Sequence, residues 1–272
     1  MLRQHPAPEG ISVADIELGS ISAKRIVPTS GEPKRTLVYF HGGAYLFGSA
    51  EGYVPLAGRL AIALDAEVII PDYRLAPEHP YPLPILDCVA AYEHLLTSGY
   101  DPGSILFAGD SAGGALSVSV MLHARERGLA LPRAGVAISP WVELEHRGES
   151  MQTRDGIDPL CAREPLDQQA SAFLGGASPT EPDASPVHAD LRELPPFLIH
   201  IGEAEVMLSG ATDLASRMAE HQVRVTLEVW PSMFHVWHLF AAVLPEGQQA
   251  IERIAEFVRG LDRAESLSKG SH

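Results

Sequence analysis

The sequence predicts one α/β domain built on a mostly parallel, eight-stranded sheet flanked by helices. Short β-rich runs alternate with longer segments of helical periodicity, an alternation typical of sheets covered on both faces. Several of these runs are apolar at successive positions, as strands buried on both faces are. A length of 272 residues fits a single domain of this class.

The predicted strands are rich in β-branched and aromatic residues. A short Gly19-Ser20 turn separates the first two, so we expect an antiparallel hairpin there. The last run, VRVTLEVW, is predicted to be an edge strand able to pair with a second copy in a homodimer. In chain order the strands are Ile11–Leu18, Ala23–Val27, Leu37–Phe40, Val68–Pro71, Ile105–Ala108, Gly135–Ser139, Phe197–Ile201 and Val225–Trp230.

Helical periodicity and one irregular segment account for the rest of the chain. Helices are predicted near 53–64, 83–97, 112–127, 207–221 and 246–261. Segment 141–195 has no strand signal and is rich in proline, glycine and acidic residues. Because long irregular segments in compact domains are commonly functional, we interpret it as a cap insertion after the sixth strand. The final residues, 269–272, resemble a cloning remnant and are left out of the fold prediction.

Composition excludes several classes of function. The formal net charge is −15 and no cluster of lysine and arginine offsets it, so no nucleic-acid partner is expected. No apolar run approaches the roughly 18 residues needed for membrane insertion, and the N-terminus has no apolar secretion signal, so a soluble, cytoplasmic protein is expected. Cys88 and Cys161 lie 73 positions apart without CxxC spacing and are predicted to be reduced, packed thiols. A disulfide or a reactive role is the alternative.

The stretch ILFAGDSAGGALSVSV, residues 105–120, carries the clearest chemical signal. A strand leads into Gly109-Asp110-Ser111-Ala112-Gly113, and a helix of small residues follows. This is the G-x-S-x-G nucleophile elbow, in which a tight turn requires small neighbours two places from the serine. The sequence therefore predicts Ser111 as a nucleophile. The alternative is a serine that only caps the helix.

A serine nucleophile needs a base, and the base needs a carboxylate to orient it. His235 directly follows the last predicted strand, at the sheet edge where the elbow is also expected. His238 is the competing histidine. The acid is expected after the seventh strand, where Glu203 and Glu205 are the two candidates.

Another short motif, His41-Gly42-Gly43, follows the third predicted strand. Two adjacent glycines leave the backbone bare, so that a reacting carbonyl can approach its N–H groups. We expect Gly42, Gly43 and Ala112 to donate to the oxyanion that forms when the serine attacks. His41 itself is interpreted as a structural hydrogen-bonding residue.

Taken together, these motifs resemble the hormone-sensitive-lipase-like esterases of the α/β-hydrolase fold. The resemblance rests on the His41 and Ser111 motifs, the His235 loop and the stretch from Asp72 to Pro80, DYRLAPEHP. It implies a serine carboxylesterase that cleaves short- to medium-chain carboxylic esters through an acyl-enzyme, without a metal or an organic cofactor. It also implies a structural role for Arg74 and Glu78, which we expect in a buried ion network.

This chain departs from the family pattern in two places. Relatives commonly carry Asp-Pro-Leu-x-Asp where this chain has Glu205-Val206-Met207-Leu208-Ser209. Alignment on Gly202 puts Glu205 at the position of the usual catalytic aspartate. Relatives also begin with additional helices, so a shortened N-terminal cap is expected here.

The sequence also leaves two other functions open. The same machinery would serve an amidase or arylformamidase. A non-catalytic ligand-binding receptor of the same fold is a further alternative, although such receptors lack the catalytic histidine and His235 argues against it.

Overall fold

One eight-stranded sheet forms the centre of the computed structural model, which describes residues 6–269. The spatial order of its strands is β1-β2-β4-β3-β5-β6-β7-β8. The β1–β2 and β2–β4 pairs are antiparallel and all other pairs are parallel, which confirms the predicted fold class. The strands are β1 (Ile11–Leu18), β2 (Ile21–Pro28), β3 (Arg35–Phe40), β4 (Ala66–Pro71), β5 (Ile105–Asp110), β6 (Ala134–Ile138), β7 (Phe197–Gly202) and β8 (Val225–Trp230).

Seven helices in the described part of the chain cover the sheet, which separates two hydrophobic cores. Helices α2, α3 and α6 pack on one face together with segment 141–195, whereas α1 and α7 pack on the other. Within residues 6–269, none of the helices combines the length and the apolar character needed to cross a membrane. The helices are α1 (Ala50–Leu64), α2 (Leu83–Thr97), α3 (Ala112–Glu126), α4 (Ser150–Thr153), α5 (Arg163–Leu174), α6 (Leu208–Glu220) and α7 (Pro245–Lys269).

The boundaries of the first and last helices differ slightly from the sequence prediction. Helix α1 begins at Ala50, a few residues before the expected start, because the Ser49 hydroxyl accepts a hydrogen bond from Gly52 N and caps it. Helix α7 extends to Lys269, the first residue of the predicted cloning remnant. Residues 270–272 of that prediction lie outside the described residues.

The central strand β5 places the candidate site. All residues of β4, β5, β6 and β7 are buried, as expected for parallel strands covered on both faces. In the register of the sheet, Phe40 at the end of β3 lies opposite Gly109, and Asp110 lies opposite Ile138 at the end of β6. The residues that follow β3, β5 and β6 therefore emerge at one edge of the sheet, the edge where open α/β sheets bind ligands.

Segment 141–195 contains two helices, α4 and α5, which the sequence did not predict. The buried residues of α5 follow a helical i, i+4, i+7, i+8 pattern, but they are few and lie among prolines and polar residues. Phe173 of α5 stacks on Tyr45, with ring centroids 3.7 Å apart. Tyr81 N donates to Phe173 O at 2.8 Å. The segment is thus packed against the loop that follows β3.

The prediction of a buried ion network is wrong for Glu78, whereas Arg74 does pair with a buried carboxylate. Arg74 forms a bidentate pair with Asp87, at 2.8 Å from Nε to Oδ2 and 2.7 Å from the terminal nitrogen to Oδ1. The Asp87 side chain is buried, but the Arg74 side chain is 45% exposed and Glu78 is exposed. The partner lies in α2, and motif spacing alone did not point to it.

The edge position of β8 is confirmed, since it pairs only with β7 among the described strands. Val229 on this strand is 44% exposed. Pairing of β8 with another copy stays a prediction.

Candidate active site

Ser111 occupies a tight turn between β5 and α3. Its φ of 53° and ψ of −119° lie where residues other than glycine are rare. A Cβ added to Gly109 would lie 2.1 Å from Gly113 O, and one added to Gly113 would lie 1.9 Å from Phe40 O. Glycine is therefore required on both sides of the serine, as the elbow motif predicts. The turn presents Ser111 at the N-terminus of α3, where partial positive charge gathers.

His235 and Glu205 form a buried hydrogen-bonded pair. The Nδ1 atom of His235 lies 2.8 Å from Glu205 Oε2, and the two residues are 7% and 0% exposed. Glu205 Oε1 accepts from Gly202 N at 2.6 Å and from the Ser139 hydroxyl at 2.7 Å. Both carboxylate oxygens are thus engaged, and the side chain is fixed against the imidazole.

The other candidate acid, Glu203, points elsewhere. Its side chain is 47% exposed and lies 2.8 Å from a terminal nitrogen of Arg154. Of the two candidate glutamates, the one that contacts His235 is Glu205, which the alignment on Gly202 had favoured.

The competing histidine, His238, is buried away from Ser111. Its Nε2 atom lies 3.1 Å from Nδ1 of His200, a residue of β7. It is not among the residues that line the pocket containing Ser111 and His235.

Gly42 does not fit the predicted role of an oxyanion donor. Its N–H donates to Asp110 Oδ1 at 3.0 Å and to the Tyr53 hydroxyl at 3.1 Å. Asp110 also accepts hydrogen bonds of 2.8 Å from the hydroxyls of Tyr39 and Tyr53. Burial raises the pKa of Asp110 to about 6, although these hydrogen bonds favour its ionised form. The Gly42 N–H therefore anchors the loop instead of facing a substrate.

Gly43 and Ala44 present the bare backbone that the motif led us to expect. Gly43 has a φ of 116°, and an added Cβ would lie 1.9 Å from Phe47 O. Ala44 also adopts a positive φ of 53°. Both residues line the same pocket as Ser111. Neither N–H donates to a protein acceptor within residues 6–269. Ala112 is the first residue of α3, a position whose N–H has no partner within the helix.

His41 is buried beneath this loop. Its ring stacks on Tyr73 with centroids 4.3 Å apart, and the Tyr73 hydroxyl donates to His41 O at 2.7 Å. Burial lowers the pKa of His41. These contacts fit the predicted structural role.

A largely apolar pocket of about 720 Å³ joins these groups. Its size is typical of sites for small organic ligands. Ser111 and His235 both line it, so the nucleophile and base candidates share one cavity. Its apolar walls include Phe47, Leu56, Leu160, Leu166, Leu239 and Phe240.

Comparison with known proteins identifies the family to which this chain belongs. The model of a family described as alpha/beta hydrolase fold matches residues 37–239. An acetyl-hydrolase of Streptomyces hygroscopicus is 41% identical over 251 residues, covering 92% of this chain and 84% of that protein. An esterase of Acinetobacter venetianus is 30% identical, covering 96% and 86%.

Solved structures of esterases also resemble this chain in sequence and in fold. An esterase from the bacterial hormone-sensitive lipase family superposes with a TM-score of 0.92 at 42% identity, covering 94% of this chain and 86% of that one. The esterase EstE5, soaked with p-nitrophenyl butyrate, gives 0.92 at 38% identity, covering 95% and 87%. The chain belongs to the hormone-sensitive-lipase family of esterases. The resemblance predicted from the motifs is confirmed.

In this family member, Ser139 is a site residue that the sequence did not single out. It follows β6, with a φ of 46°, and was predicted only as the end of a strand. Its hydroxyl donates to Glu205 Oε1 and accepts a hydrogen bond of 3.1 Å from Val236 N. Its position at the carboxyl end of a central strand was the one available signal.

Cys161 is a free, partly buried thiol packed against the hydrophobic core, as predicted, and it also lines the pocket beside His235. Burial lowers the pKa of His235, whereas Cys161 and the Glu205 carboxylate raise it, and the net shift is upward. The other thiol, Cys88, is free and buried, and burial raises its pKa.

Folding also assembles Asp158, Glu205 and His235, with one potential ligand atom of each within 4.8 Å of the others. No spacing in the sequence indicated this cluster. The 2.8 Å between His235 Nδ1 and Glu205 Oε2 is a hydrogen-bond distance, whereas two ligands of a tetrahedral ion, each at about 2.0–2.2 Å, lie more than about 3 Å apart. The cluster is therefore organised by hydrogen bonds.

His200 and His238 form a second buried pair directly behind the His235 loop. His200 Nε2 lies 3.3 Å from Glu228, which is bound to Arg253, and His238 Nδ1 has no hydrogen-bond partner among the described residues. Burial lowers the pKa of both imidazoles, so the folded protein holds them neutral.

The buried His200–His238 pair predicts that the folded protein loses stability as the pH falls. In the unfolded chain both histidines titrate near pH 6.5, so below that pH the unfolded state binds more protons than the folded state. The free energy of unfolding should therefore fall as the pH drops from 7.5 to 5.5, by up to about 1.4 kcal/mol per pH unit for each group. Replacing His238→Asn should reduce this slope in urea titrations. Exposed His79→Asn is the control, and an unchanged slope in His238→Asn would contradict the prediction.

Proposed function

We propose that this protein is a serine carboxylesterase that hydrolyses short- to medium-chain carboxylic esters through an acyl-enzyme. The observation that carries the proposal is the meeting of the Ser111 elbow with the His235–Glu205 pair in one apolar pocket. Relatives named acetyl-hydrolase and esterase support it, as does the p-nitrophenyl butyrate soak of a similar structure. The His235–Glu205 pair argues against a non-catalytic receptor.

The proposed reaction begins with proton transfer from Ser111 Oγ to His235. Because Nδ1 of His235 is engaged by Glu205, Nε2 is the nitrogen that accepts this proton. The serine oxygen attacks the ester carbonyl, and Glu205 stabilises the imidazolium that forms. His235 then returns the proton to the departing alcohol. Water then attacks the carbonyl of the acyl-enzyme while His235 accepts a proton from it. The bond to Ser111 breaks, His235 returns the proton to Ser111 Oγ, and the acid is released.

The oxyanion donors in this proposal are the N–H groups of Gly43, Ala44 and Ala112. Gly42 is replaced by Ala44 in the set because the Gly42 N–H is occupied by Asp110 and Tyr53. Each donor removed from such a site typically costs about 10²–10³ in kcat.

A cap role for segment 141–195 is part of the proposal. Four of its residues line the pocket: Leu160, Cys161, Leu166 and Gln169. The segment belongs to the single domain because its α5 packs on the loop after β3.

The cellular setting and assembly are also proposed from the chain's properties. Two unpaired thiols suit a reducing compartment, which supports the cytoplasm. A net charge of −15 supports a small-molecule substrate and disfavours nucleic acid. The open edge of β8 supports a homodimer formed by strand pairing.

Amide hydrolysis is the second candidate activity. The name acetyl-hydrolase specifies the acyl group of that relative's substrate and leaves the bond unspecified. Parallel assays of p-nitrophenyl acetate and p-nitroacetanilide distinguish the two activities, and we expect the ester to be cleaved faster.

Covalent labelling of Ser111 is the first prediction from this mechanism. Phenylmethylsulfonyl fluoride should inactivate the enzyme and leave one adduct, which peptide mass mapping should locate on Ser111. Ser111→Ala should neither react nor hydrolyse p-nitrophenyl butyrate, whereas exposed Ser98→Ala should do both. EDTA should leave the activity intact. An adduct on another residue would contradict the assignment of the nucleophile.

The identity of the acid gives a second prediction. Glu205→Gln should lower kcat by up to about 10⁴, because the imidazole loses both its orientation and the partner of its cation. Glu203→Gln should stay within about tenfold of wild type, since Glu203 contacts Arg154 and not His235. A larger loss in Glu203→Gln than in Glu205→Gln would assign Glu203 as the acid.

The raised pKa of His235 gives a prediction for the wild type. Because a protonated imidazole cannot accept the proton of Ser111, kcat/KM should fall as the pH drops through a value above 6.5, which a pH–rate profile measures.

Acyl-chain length provides a third prediction. Each buried methylene contributes about 0.8 kcal/mol only as far as the pocket extends, so kcat/KM should be highest for p-nitrophenyl esters of roughly C2 to C8. A series from acetate to palmitate, kept below the micelle concentration of each ester, measures this. Faster turnover of palmitate than of butyrate would show that the 720 Å³ pocket does not limit the chain.

A further inference from the structure

Asp158 is a buried carboxylate in segment 141–195 that the proposed mechanism does not use. It lies between α4 and α5, in the sequence RDGIDPLCARE, and is only 5% exposed. Its neighbours Asp155, Gly156 and Ile157 are all exposed. Carboxylates are seldom buried unless hydrogen bonds compensate for lost hydration, so the contacts of Asp158 need an explanation.

The two oxygens of Asp158 contact different parts of the chain. Oδ1 accepts hydrogen bonds from Leu160 N at 2.9 Å and from Cys161 N at 3.3 Å. Oδ2 accepts from His235 N at 3.1 Å, across 77 residues of sequence. Leu160 and Cys161 line the pocket wall. One side chain thus joins the wall of the pocket to the backbone of the histidine.

A purely local role explains only half of these contacts. Aspartate commonly accepts N–H groups two or three residues ahead, which accounts for Oδ1. That pattern does not require Oδ2 to reach the His235 backbone, nor does it require the side chain to be buried.

The His235 loop has a backbone that needs external support. Val236 is β-branched yet adopts a φ of 49°, a conformation that persists only when the surroundings hold it. Its N–H donates to Ser139, while the preceding N–H, that of His235, donates to Asp158. Consecutive backbone groups are therefore held by two side chains, one from the sheet edge and one from segment 141–195.

We propose that Asp158 is a positioning residue that couples the pocket wall formed by segment 141–195 to the alignment of His235 with Ser111. This inference rests on the proposed function. Under this proposal, the order of the pocket wall and the ability of His235 to accept a proton from Ser111 both depend on the Asp158 carboxylate. Asp158 does not touch substrate.

The test compares Asp158→Asn with Asp155→Asn, a matched change in the same loop. Asp155 is exposed, and its Oδ1 accepts from Arg163 N, a contact that asparagine can keep. In Asp158→Asn the new side chain would retain only one acceptor oxygen, so it could not serve both ends of the bridge. The kcat and KM of p-nitrophenyl acetate and hexanoate are measured for each variant, with thermal melts to confirm folding.

We expect Asp158→Asn to lower kcat for both esters by about 10- to 100-fold, the size of loss that a misplaced catalytic group produces, with KM for acetate changed less than about threefold. Asp155→Asn should match wild type. If Asp158 only shapes the wall, KM for hexanoate will rise while kcat for acetate stays unchanged, and this result would overturn the proposal.

Two further measurements separate the remaining outcomes. The rate of Ser111 phosphorylation by diethyl p-nitrophenyl phosphate reports serine activation without any acyl chain and should fall in parallel with kcat. If the wild type reacts with this reagent but cleaves neither ester, the proposed substrate class fails and the reagent still tests Asp158.

A second variant, Asp158→Glu, keeps the charge but displaces the oxygens, so it should also lose kcat. Unfolding of both Asp158 variants, with Asp155→Asn folded, would assign Asp158 to stability and overturn the proposal.

Discussion

The close approach of β3, β5 and α3 at the Ser111 turn is the constraint on which the rest of the site depends. A Cβ on Gly113 would lie 1.9 Å from Phe40 O, so no side chain fits between α3 and β3 at this point. This packing holds Ser111 in a backbone conformation that is unfavourable for an L-residue, at a typical cost of about 1–3 kcal/mol. The buried strands on either side supply the rigidity that maintains it. Every other group of the site is placed relative to this turn.

Buried carboxylates then fix the loops that surround the turn. Asp110 accepts the N–H of Gly42, Glu205 accepts that of Gly202, and Asp158 accepts that of His235. At each of these three places at the carboxyl edge of the sheet, a carboxylate therefore holds the backbone by a hydrogen bond. Burying a carboxylate is costly unless several donors satisfy it, so each anchor works only when the loop it holds is in place. The raised pKa of Asp110 shows that burial is not fully offset even there.

The parts of the fold and site that depend on local sequence patterns could be predicted. The strands, most helices, the Ser111 elbow and the His235 loop follow from periodicity and short motifs, because each depends on neighbours within a few residues. The sequence favoured Glu205 over Glu203 only through its alignment with the family's aspartate, because the direction of a side chain after a strand end is decided by the fold. For the same reason the roles of Ser139 and Asp158 were not predicted from the sequence, and that of Gly42 was predicted wrongly. Their partners lie 66, 77 and 68 residues away, and no motif records such contacts.

The same carboxylates bear on what happens after the chemistry. In the proposed reaction a neutral ester enters and a carboxylate anion must leave. Asp110 lines the pocket beside Ser111, Glu205 contacts His235, and the whole chain carries a net charge of −15. Distant charges are largely screened beyond about 8 Å at physiological salt, so the nearby buried groups dominate the interaction. Repulsion from the Asp110 carboxylate in this largely apolar pocket disfavours binding of the ionised product, whereas the neutral ester carries no charge to repel. An arrangement that exists to hold loops and orient an imidazole therefore also favours turnover over product retention.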